Sequence, residues 1–211
     1  VFTFSHILSQ NIQFDWSKTI GSSGNNKGKS IIYDDNGYLY VAGEFKESLI
    51  IGDSIVTGLA ERNIFIIKLD LDGNLIWSRS LGSNTPGNIY NFLGQICFDK
   101  NMDIVCTGTF SNTLILNDTT ITSNGGTDIF LLKIKNTGET ISINSEGGIG
   151  DENSNSVCID KNNNIYICGG FKGTSNFGNT TMTSSGYWQY TPWGESVYLY
   201  EQNAFFTKYD N

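Results

Sequence analysis

Short apolar, β-prone runs alternate with polar turn residues along most of the chain. In the stretch 30–45, Ser-Ile-Ile-Tyr and Tyr-Leu-Tyr-Val-Ala-Gly-Glu-Phe flank a turn that contains Asn36 and Gly37. An Asn-Gly pair between two such runs is the strongest short-range signal for a β-hairpin. We therefore predict a hairpin with strands near Lys29–Asp34 and Tyr38–Phe45.

This pattern occurs three times, so the chain contains repeats. Each copy has an aspartate nine residues before a glycine, and a phenylalanine two residues after that glycine. The aspartates are Asp34, Asp99 and Asp160, which gives a period of 61 to 65 residues. A second apolar run that ends near a lysine recurs as Asn63–Leu69, Asp128–Ile134 and Asn203–Tyr209. Coincident anchors at one period indicate repeated structural units, near 22–82, 83–147 and 148–211.

Each repeat offers four main strands. In the first repeat, strands near Asn63–Leu69 and Asn74–Leu81 follow the hairpin, and a short ribbon over 49–56 lies between the two pairs. Runs such as Ile165-Tyr166-Ile167-Cys168 are apolar on both sides, so both faces of these strands should be covered. Sheets stacked around an axis meet that need. We predict an all-β chain, a β-propeller of four-stranded blades of about 61–65 residues, with three repeats present.

The number of repeats leaves the ring incomplete. Propellers usually have four to eight blades, so we expect a fragment of a larger propeller, with further blades beyond Asn211. The segment Asp15–Gly21 resembles the last strand of the first repeat, Leu75–Gly82. A closed ring of three blades, in which Asp15–Ile20 completes the third blade, is the alternative.

The pattern Asp-x-x-Gly-Tyr-Leu-Tyr-Val-Ala-Gly-x-Phe, followed by Asn-Ile-Phe-Ile-Ile-Lys-Leu-Asp-x-Asp-Gly-Asn-Leu-Ile-Trp, resembles the bacterial SBBP (seven-bladed β-propeller) repeat. The resemblance runs from about Phe14 to Asp210. It implies a secreted or cell-surface protein, and it implies no particular ligand. The second repeat departs from the pattern, because Asn101-Met102-Asp103 replaces Asn36-Gly37-Tyr38.

Composition narrows the possible partners and the location. The chain has 13 basic and 21 acidic residues and no basic cluster, which argues against a nucleic-acid partner. No run of apolar residues is long enough for a membrane helix. Residues 1–10 resemble the end of a signal peptide, although a strand of a preceding repeat is the alternative. We therefore expect a propeller domain over 11–211 and a secreted or cell-surface location.

Four cysteines occur, at Cys97, Cys106, Cys158 and Cys168. Cys97 is expected to face Cys106 across a hairpin, close enough for a bridge but in a poor geometry for one. We expect all four to be small buried thiols.

The sequence contains few residues that are suited to catalysis. His6 is the only histidine, so the predicted propeller domain has no histidine base for a nucleophile and no histidine for a metal site. The acids lie mostly at turns, as in Asp34-Asp35, Asp70, Asp72, Asp99, Asp103 and Asp151-Glu152, and we read them as solvated turn residues. Asp99-x-Asn101-x-Asp103 and Asp160-x-Asn162-x-Asn164 resemble the start of a calcium loop but lack its later ligands. We predict no enzyme, no metal site and no cofactor.

One stretch interrupts the third repeat, because the spacing from the repeat glycine to the lysine is 14 residues longer than in the other two. Loops that project from a rigid scaffold often carry binding, and amphipathic aromatic residues suit sugar or protein surfaces. An extended hairpin that packs on its own sheet or on a neighbour is the structural alternative. The predicted ligand-binding residues are Tyr187, Trp188, Tyr190, Trp193, Tyr198 and Tyr200.

We therefore expect a non-catalytic, exported propeller that acts as a scaffold for a protein or carbohydrate ligand. A propeller enzyme that acts on polysaccharide is one alternative, and it would require inward or top-face acids that break the repeat. No such acids are apparent in the sequence. A purely structural repeat of a large adhesin is the other alternative.

Overall fold

A computed structural model describes residues 15–21, 24–59, 61–83 and 90–210, and every regular element within these ranges is a β-strand. Over the same residues no helix is long and apolar enough to cross a membrane. The strands are β1 (Lys27–Tyr33), β2 (Leu39–Phe45), β3 (Ser48–Ile51), β4 (Ser54–Thr57), β5 (Asn63–Leu69), β6 (Leu75–Leu81), β7 (Phe92–Phe98), β8 (Ile104–Leu116), β9 (Thr119–Ile134), β10 (Thr140–Gly148), β11 (Asp151–Ile159), β12 (Ile165–Lys172), β13 (Thr174–Phe177), β14 (Thr180–Thr183), β15 (Gly186–Tyr190), β16 (Ser196–Tyr200) and β17 (Gln202–Tyr209).

The main strands form three antiparallel sheets that follow one another along the chain. Sheet 1 has the order β1-β2-β5-β6, sheet 2 has β7-β8-β9-β10, and sheet 3 has β11-β12-β17. The ribbon β13-β14 extends sheet 2 by pairing with β10, whereas β3-β4 and β15-β16 are separate two-stranded hairpins. The strands predicted for the first repeat agree with β1, β2, β5 and β6 within two residues at each end.

The three sheets pack face to face, and each junction is a hydrophobic core. Residues of sheets 1 and 2, such as Ile64, Ile66 and Phe130, form one cluster, and residues of sheets 2 and 3, such as Ile129 and Val157, form another. Every residue of β5 is buried, as expected for a strand that is covered on both faces. This stacking of repeated antiparallel sheets is consistent with part of a β-propeller.

The recurring glycine of each repeat has a physical cause in these sheets. Gly43, Gly108 and Gly169 pair across the strands with phenylalanines 65, 130 and 205. A Cβ atom on Gly108 would lie 2.2 Å from the carbonyl oxygen of Phe92 and 2.6 Å from the ring of Phe130. The same overlap occurs at the other two glycines. Only glycine leaves room for the neighbouring backbone and the ring.

The turn of each inner hairpin is held by its aspartate. Asp34 Oδ1 accepts hydrogen bonds from the backbone N–H groups of Asn36 (3.0 Å) and Tyr38 (2.9 Å). The third turn residue has a positive φ, which is 88° at Gly37, 62° at Met102 and 71° in the third repeat. The two calcium-like motifs are hairpin turns of the same kind, in which backbone N–H groups donate to the first carboxylate oxygen.

The expectation that the turn acids are solvated is wrong for Asp34 and Asp99, which are buried. The hydroxyl of Tyr40 donates to Asp34 Oδ2 (3.0 Å), and the Lys133 ammonium lies 2.6 Å from Asp99 Oδ2. These partners compensate the carboxylates for the water that they lose.

The expected facing of Cys97 and Cys106 is also wrong. Cys97 is opposite Val105, and Cys106 is opposite Ile96. Because successive side chains of a strand point to opposite faces, this one-residue difference in register places the two thiols on different faces of sheet 2. All four cysteines are free, and Cys158 and Cys168 are exposed rather than buried. The two exposed thiols belong to sheet 3.

The segment 15–21 does not form a strand, although its sequence resembles β6. It lies against sheet 1 and the ribbon β3-β4, because Ile20 packs on the core cluster that they share and the Gly21 N–H donates to the Ile50 carbonyl of β3 (3.2 Å). It therefore does not complete sheet 3, as the closed three-bladed alternative required. The suggested signal-peptide remnant, 1–10, and His6 lie outside the described residues.

Candidate functional site

The stretch that interrupts the third repeat is a separate β-hairpin of strands β15 and β16. Its turn contains Thr191, Pro192, Trp193 and Gly194, and the Gly194 N–H donates to the Thr191 carbonyl (3.0 Å). Gly194 has a φ of 85°, which glycine adopts without strain. Proline sits at the second turn position, where its fixed φ is favourable. The turn chemistry therefore specifies the hairpin locally.

The register brings four of the predicted residues onto one face. Trp188 is opposite Tyr198, and the flanking pairs place Tyr190 and Tyr200 on the same side of the hairpin. The rings of Trp188 and Tyr198 meet edge to face at 5.2 Å, and those of Tyr198 and Tyr200 at 5.1 Å. Tyr187 points to the opposite face. Aromatic ring pairs, such as the cross-strand pair Trp188–Tyr198, stabilise a protein by roughly 0.5–1.5 kcal/mol each.

All six predicted aromatic residues are exposed. Trp193 at the turn is 87% exposed, and Tyr190 is 77% exposed. The first ribbon of the chain, β3-β4, differs, because it packs Leu49 and Ile51 into the core of sheet 1. The inserted hairpin therefore has no comparable role in the core of the described structure. The exposure of these side chains favours the binding prediction over packing on the hairpin's own sheet, although Tyr200 lies close to Gly173.

A pair of buried acids lies at the junction of sheets 2 and 3, and the sequence reasoning missed it. Asp128 begins the core run of β9, Glu152 lies in β11, and both are fully buried. A Cβ atom on Gly147 would lie 2.5 Å from Glu152 Oε2 and 2.8 Å from Asp128 Oδ1, so the two oxygens converge on one place. The interpretation of Glu152 as a solvated turn residue is wrong.

This acid pair breaks the repeat. Asn63 and Asn91 occupy the equivalent positions of Asp128 and Glu152 at the junction of sheets 1 and 2, and both are fully buried but uncharged. The sequence reasoning looked for inward or top-face acids that break the repeat and overlooked this buried pair between sheets 2 and 3. The alignment of Asn63 with Asp128 in the repeat could have revealed Asp128 from the sequence. Glu152 lies on a strand of a different repeat, so its pairing with Asp128 was visible only in the structure.

Burial determines what the pair can do. Loss of water raises the pKa of Asp128 to about 6, and the neighbouring Glu152 contributes to that rise. Burial also raises the pKa of Glu152. Glu152 accepts hydrogen bonds from Gly148 N (2.9 Å) and the Ser175 hydroxyl, while Asp128 Oδ1 has no partner. Two neighbouring carboxyl groups whose pKa values are both raised could exchange protons, but no substrate reaches them while both are fully buried.

A recess lies between β1 of sheet 1, β7 to β9 of sheet 2 and β11 of sheet 3. It has a volume of about 430 Å³ and combines Lys29 of sheet 1, Phe92 and Thr109 of sheet 2, and Asn153 and Ser154 of sheet 3. Its lining mixes hydroxyl and amide groups with apolar side chains such as Leu93. A small ligand that uses both kinds of contact could bind there if the aromatic hairpin is not the binding surface.

Comparison with known proteins gives one informative match. The chain is 26% identical, over 204 residues, to an uncharacterised WD repeat-containing protein of Acanthamoeba polyphaga mimivirus. The match covers 81% of this chain but only 14% of that protein, so the chain spans a small part of its relative. No family model matches. The match supports a repeat protein of the β-propeller type, and it leaves the SBBP resemblance a prediction.

Proposed function

We propose that the chain is a non-catalytic β-propeller module that binds carbohydrate through the hairpin of β15 and β16. The observation that carries the proposal is the exposure of all six aromatic residues of an insertion that the repeat does not need. Large rings exposed together are uncommon on a protein surface, and they mark interaction sites.

The polar groups around the rings favour carbohydrate over a charged ligand. The hairpin carries a single charged side chain, Glu195, and its other polar groups are neutral, such as Gln189 and the tyrosine hydroxyls. Tyrosine and tryptophan combine an apolar ring with a hydrogen-bonding group, which suits the apolar faces and hydroxyl groups of a sugar. A protein ligand is the other outcome that the test must separate.

The remaining parts of the proposal concern the whole protein. Because the sequence resembles secreted repeats, we place the module outside the cell or on its surface. The open faces of sheets 1 and 3 support the view that three blades are part of a larger ring. A polysaccharide-acting enzyme stays the alternative, since Asp128 and Glu152 are the kind of acid pair it would need, although both are fully buried.

The test is a glycan-array screen of the chain and of a Trp188→Ala/Trp193→Ala variant, with Tyr90→Ala as control. Tyr90 is 47% exposed and lines the recess between the three sheets, so Tyr90→Ala removes a comparable ring from that alternative binding site. We expect the chain and the control to bind the same glycans. The double variant should no longer bind them, although its melting temperature should be unchanged. Glycan binding by the double variant, or a loss of binding only in the control, would contradict the proposal.

A further inference from the structure

The buried pair of Asp128 and Glu152 carries more negative charge than its surroundings compensate. Asp128 Oδ2 accepts a hydrogen bond from Asn124 N (3.1 Å), whereas Asp128 Oδ1 has no partner although the residue is fully buried. Among the described residues, no ion pair includes either carboxylate. A buried carboxylate is costly unless hydrogen bonds, a proton or a cation compensate it. Asp128 Oδ1 therefore needs a partner that none of the described residues provides.

A glycine leaves a small space open between the two carboxylates. The Cβ position of Gly147 lies 2.8 Å from Asp128 Oδ1 and 2.5 Å from Glu152 Oε2. The two oxygens thus border a space that any other side chain at this position would fill. Calcium–oxygen bonds measure about 2.3–2.6 Å. An ion displaced slightly from the Cβ position, away from the Gly147 backbone, could therefore contact both oxygens.

The groups around this space suit a hard cation. The Ser175 hydroxyl, which is fully buried, donates to Glu152 Oε1 and adds a neutral oxygen beside the pair. No three histidine, cysteine, aspartate or glutamate side chains meet in the described part of the chain, so the charged ligands would be two carboxylates. Calcium accepts carboxylate and neutral oxygens in a flexible geometry, whereas zinc is bound mostly by cysteine and histidine.

The junction of sheets 1 and 2 offers an internal comparison. Gly82 lies against Asn63 there, so that a Cβ atom would overlap the amide. This repeats the contact of Gly147 with Asp128. Leu59 N donates to Asn63 Oδ1 (2.9 Å), which matches the hydrogen bond on Asp128 Oδ2. The same geometry thus holds a neutral amide in one junction and a carboxyl group in the other. The acid adds charge rather than a new shape, and charge at this place favours a cation.

We propose that Asp128 and Glu152 bind a calcium ion that ties sheet 2 to sheet 3. Asp128 belongs to β9 and Glu152 to β11, while Ser175 belongs to the ribbon β13-β14, which extends sheet 2. The ion thus joins three elements that are distant in sequence. Because only two ligands are charged, we expect a dissociation constant on the order of 10⁻⁴ to 10⁻³ M. Metal binding is commonly coupled to folding, so the buried site can fill while the sheets assemble.

A proton occupies the pair when calcium is absent. The raised pKa of Asp128, which results from burial and to a smaller extent from the neighbouring Glu152, describes this calcium-free form. The dependence of stability on pH that follows from this pKa therefore belongs to the calcium-free chain. The expectation of no metal site from the sequence considered histidines and turn motifs, and not this pair.

The test is titration calorimetry of calcium into the 211-residue chain after treatment with a chelator. We expect one calcium ion per chain, and we expect excess calcium to raise the melting temperature relative to chelator. Asp128→Asn and Glu152→Gln should each weaken binding at least about tenfold, because one of two charged ligands is lost. Their melting temperatures should no longer depend on calcium. Asp128→Asn should fold, since Asn63 occupies the equivalent buried position.

Asp160→Asn is the matched control. Asp160 begins one of the turn motifs that resemble a calcium loop, and an amide at this position can still accept the hydrogen bonds of the turn. We expect this variant to bind calcium like the natural chain, and we expect magnesium to bind more weakly, because it demands a near-octahedral site.

Four results would each overturn the proposal. They are no calcium binding up to about 10 mM, unchanged binding in Asp128→Asn, a loss of binding in Asp160→Asn, and magnesium binding as tight as that of calcium. None of these results depends on the hairpin of β15 and β16 or on glycans, so this proposal and the proposed function can fail separately.

Discussion

The aromatic residues of the sheets and those of the inserted hairpin have opposite environments. Phe130 of sheet 2 is fully buried between its neighbours and packs over the glycine of the adjacent strand. Trp188 of the hairpin is 66% exposed, and its ring packs edge to face on that of Tyr198 in the same hairpin. The same class of side chain therefore stabilises the fold in one region and is available for contact in the other. This division of roles is the reason to place binding on the hairpin.

The largest expected difference is in stability, between a variant that loses a buried ring of the sheets and a variant that loses an exposed ring of the hairpin. Phe130→Ala removes a fully buried side chain, and we expect it to lower the free energy of unfolding by about 3–5 kcal/mol. Trp188→Ala should change it by less than about 1 kcal/mol, because it loses one exposed ring pair. Chemical denaturation of both variants checks the difference. Equal losses of stability would show that the hairpin belongs to the core.

A smaller effect should distinguish the two junctions between sheets. The pKa of Asp128 is raised in the folded state, so the folded protein binds this proton more tightly than the unfolded chain does. The stabilisation from this proton is present below pH 4 and is lost as the pH rises through about 6. Asp128→Asn places an amide at this position, as Asn63 does at the junction of sheets 1 and 2. The variant therefore does not lose this stabilisation as the pH rises. We expect the variant to be more stable than the natural chain by about 2–3 kcal/mol above pH 7.

The measurement is the difference in unfolding free energy between Asp128→Asn and the natural chain as a function of pH. The difference should grow between pH 4 and pH 6 and then stay constant. Asp118→Asn, at an exposed turn residue, is the control and should show no such growth. A difference that does not change with pH would contradict the assigned protonation of the buried pair.

The smallest effect concerns the hairpin turns. Met102 adopts a φ of 62° at the position where the first repeat has Gly37. A side chain other than glycine is strained in this region by roughly 1 kcal/mol, so Met102→Gly should raise the stability by up to about that amount. Thermal unfolding measures the gain. A loss of stability would show that the Met102 side chain contributes more through packing than it costs in backbone strain.

The repeat pattern predicted most of the fold, because turn chemistry and buried apolar runs act locally. The ribbon over 49–56 and the strands of sheet 1 follow from such signals. The predicted facing of Cys97 and Cys106 was wrong by one residue, because the register depends on the details of one turn. The six aromatic residues were found because they interrupt the period. The pairing of Asp128 with Glu152 could not be found, because it joins two strands from different repeats.

The central claim, that the hairpin rings contact the ligand while the sheets serve as scaffold, is tested most directly by tryptophan fluorescence. Acrylamide quenching would be measured with and without the glycan that the array selects, in the natural chain and in Trp188→Phe/Trp193→Phe. Two of the four tryptophans, Trp188 and Trp193, lie in the hairpin. We predict that the glycan shields the natural chain from quenching and has no such effect in the variant. Equal shielding in both proteins would contradict the account.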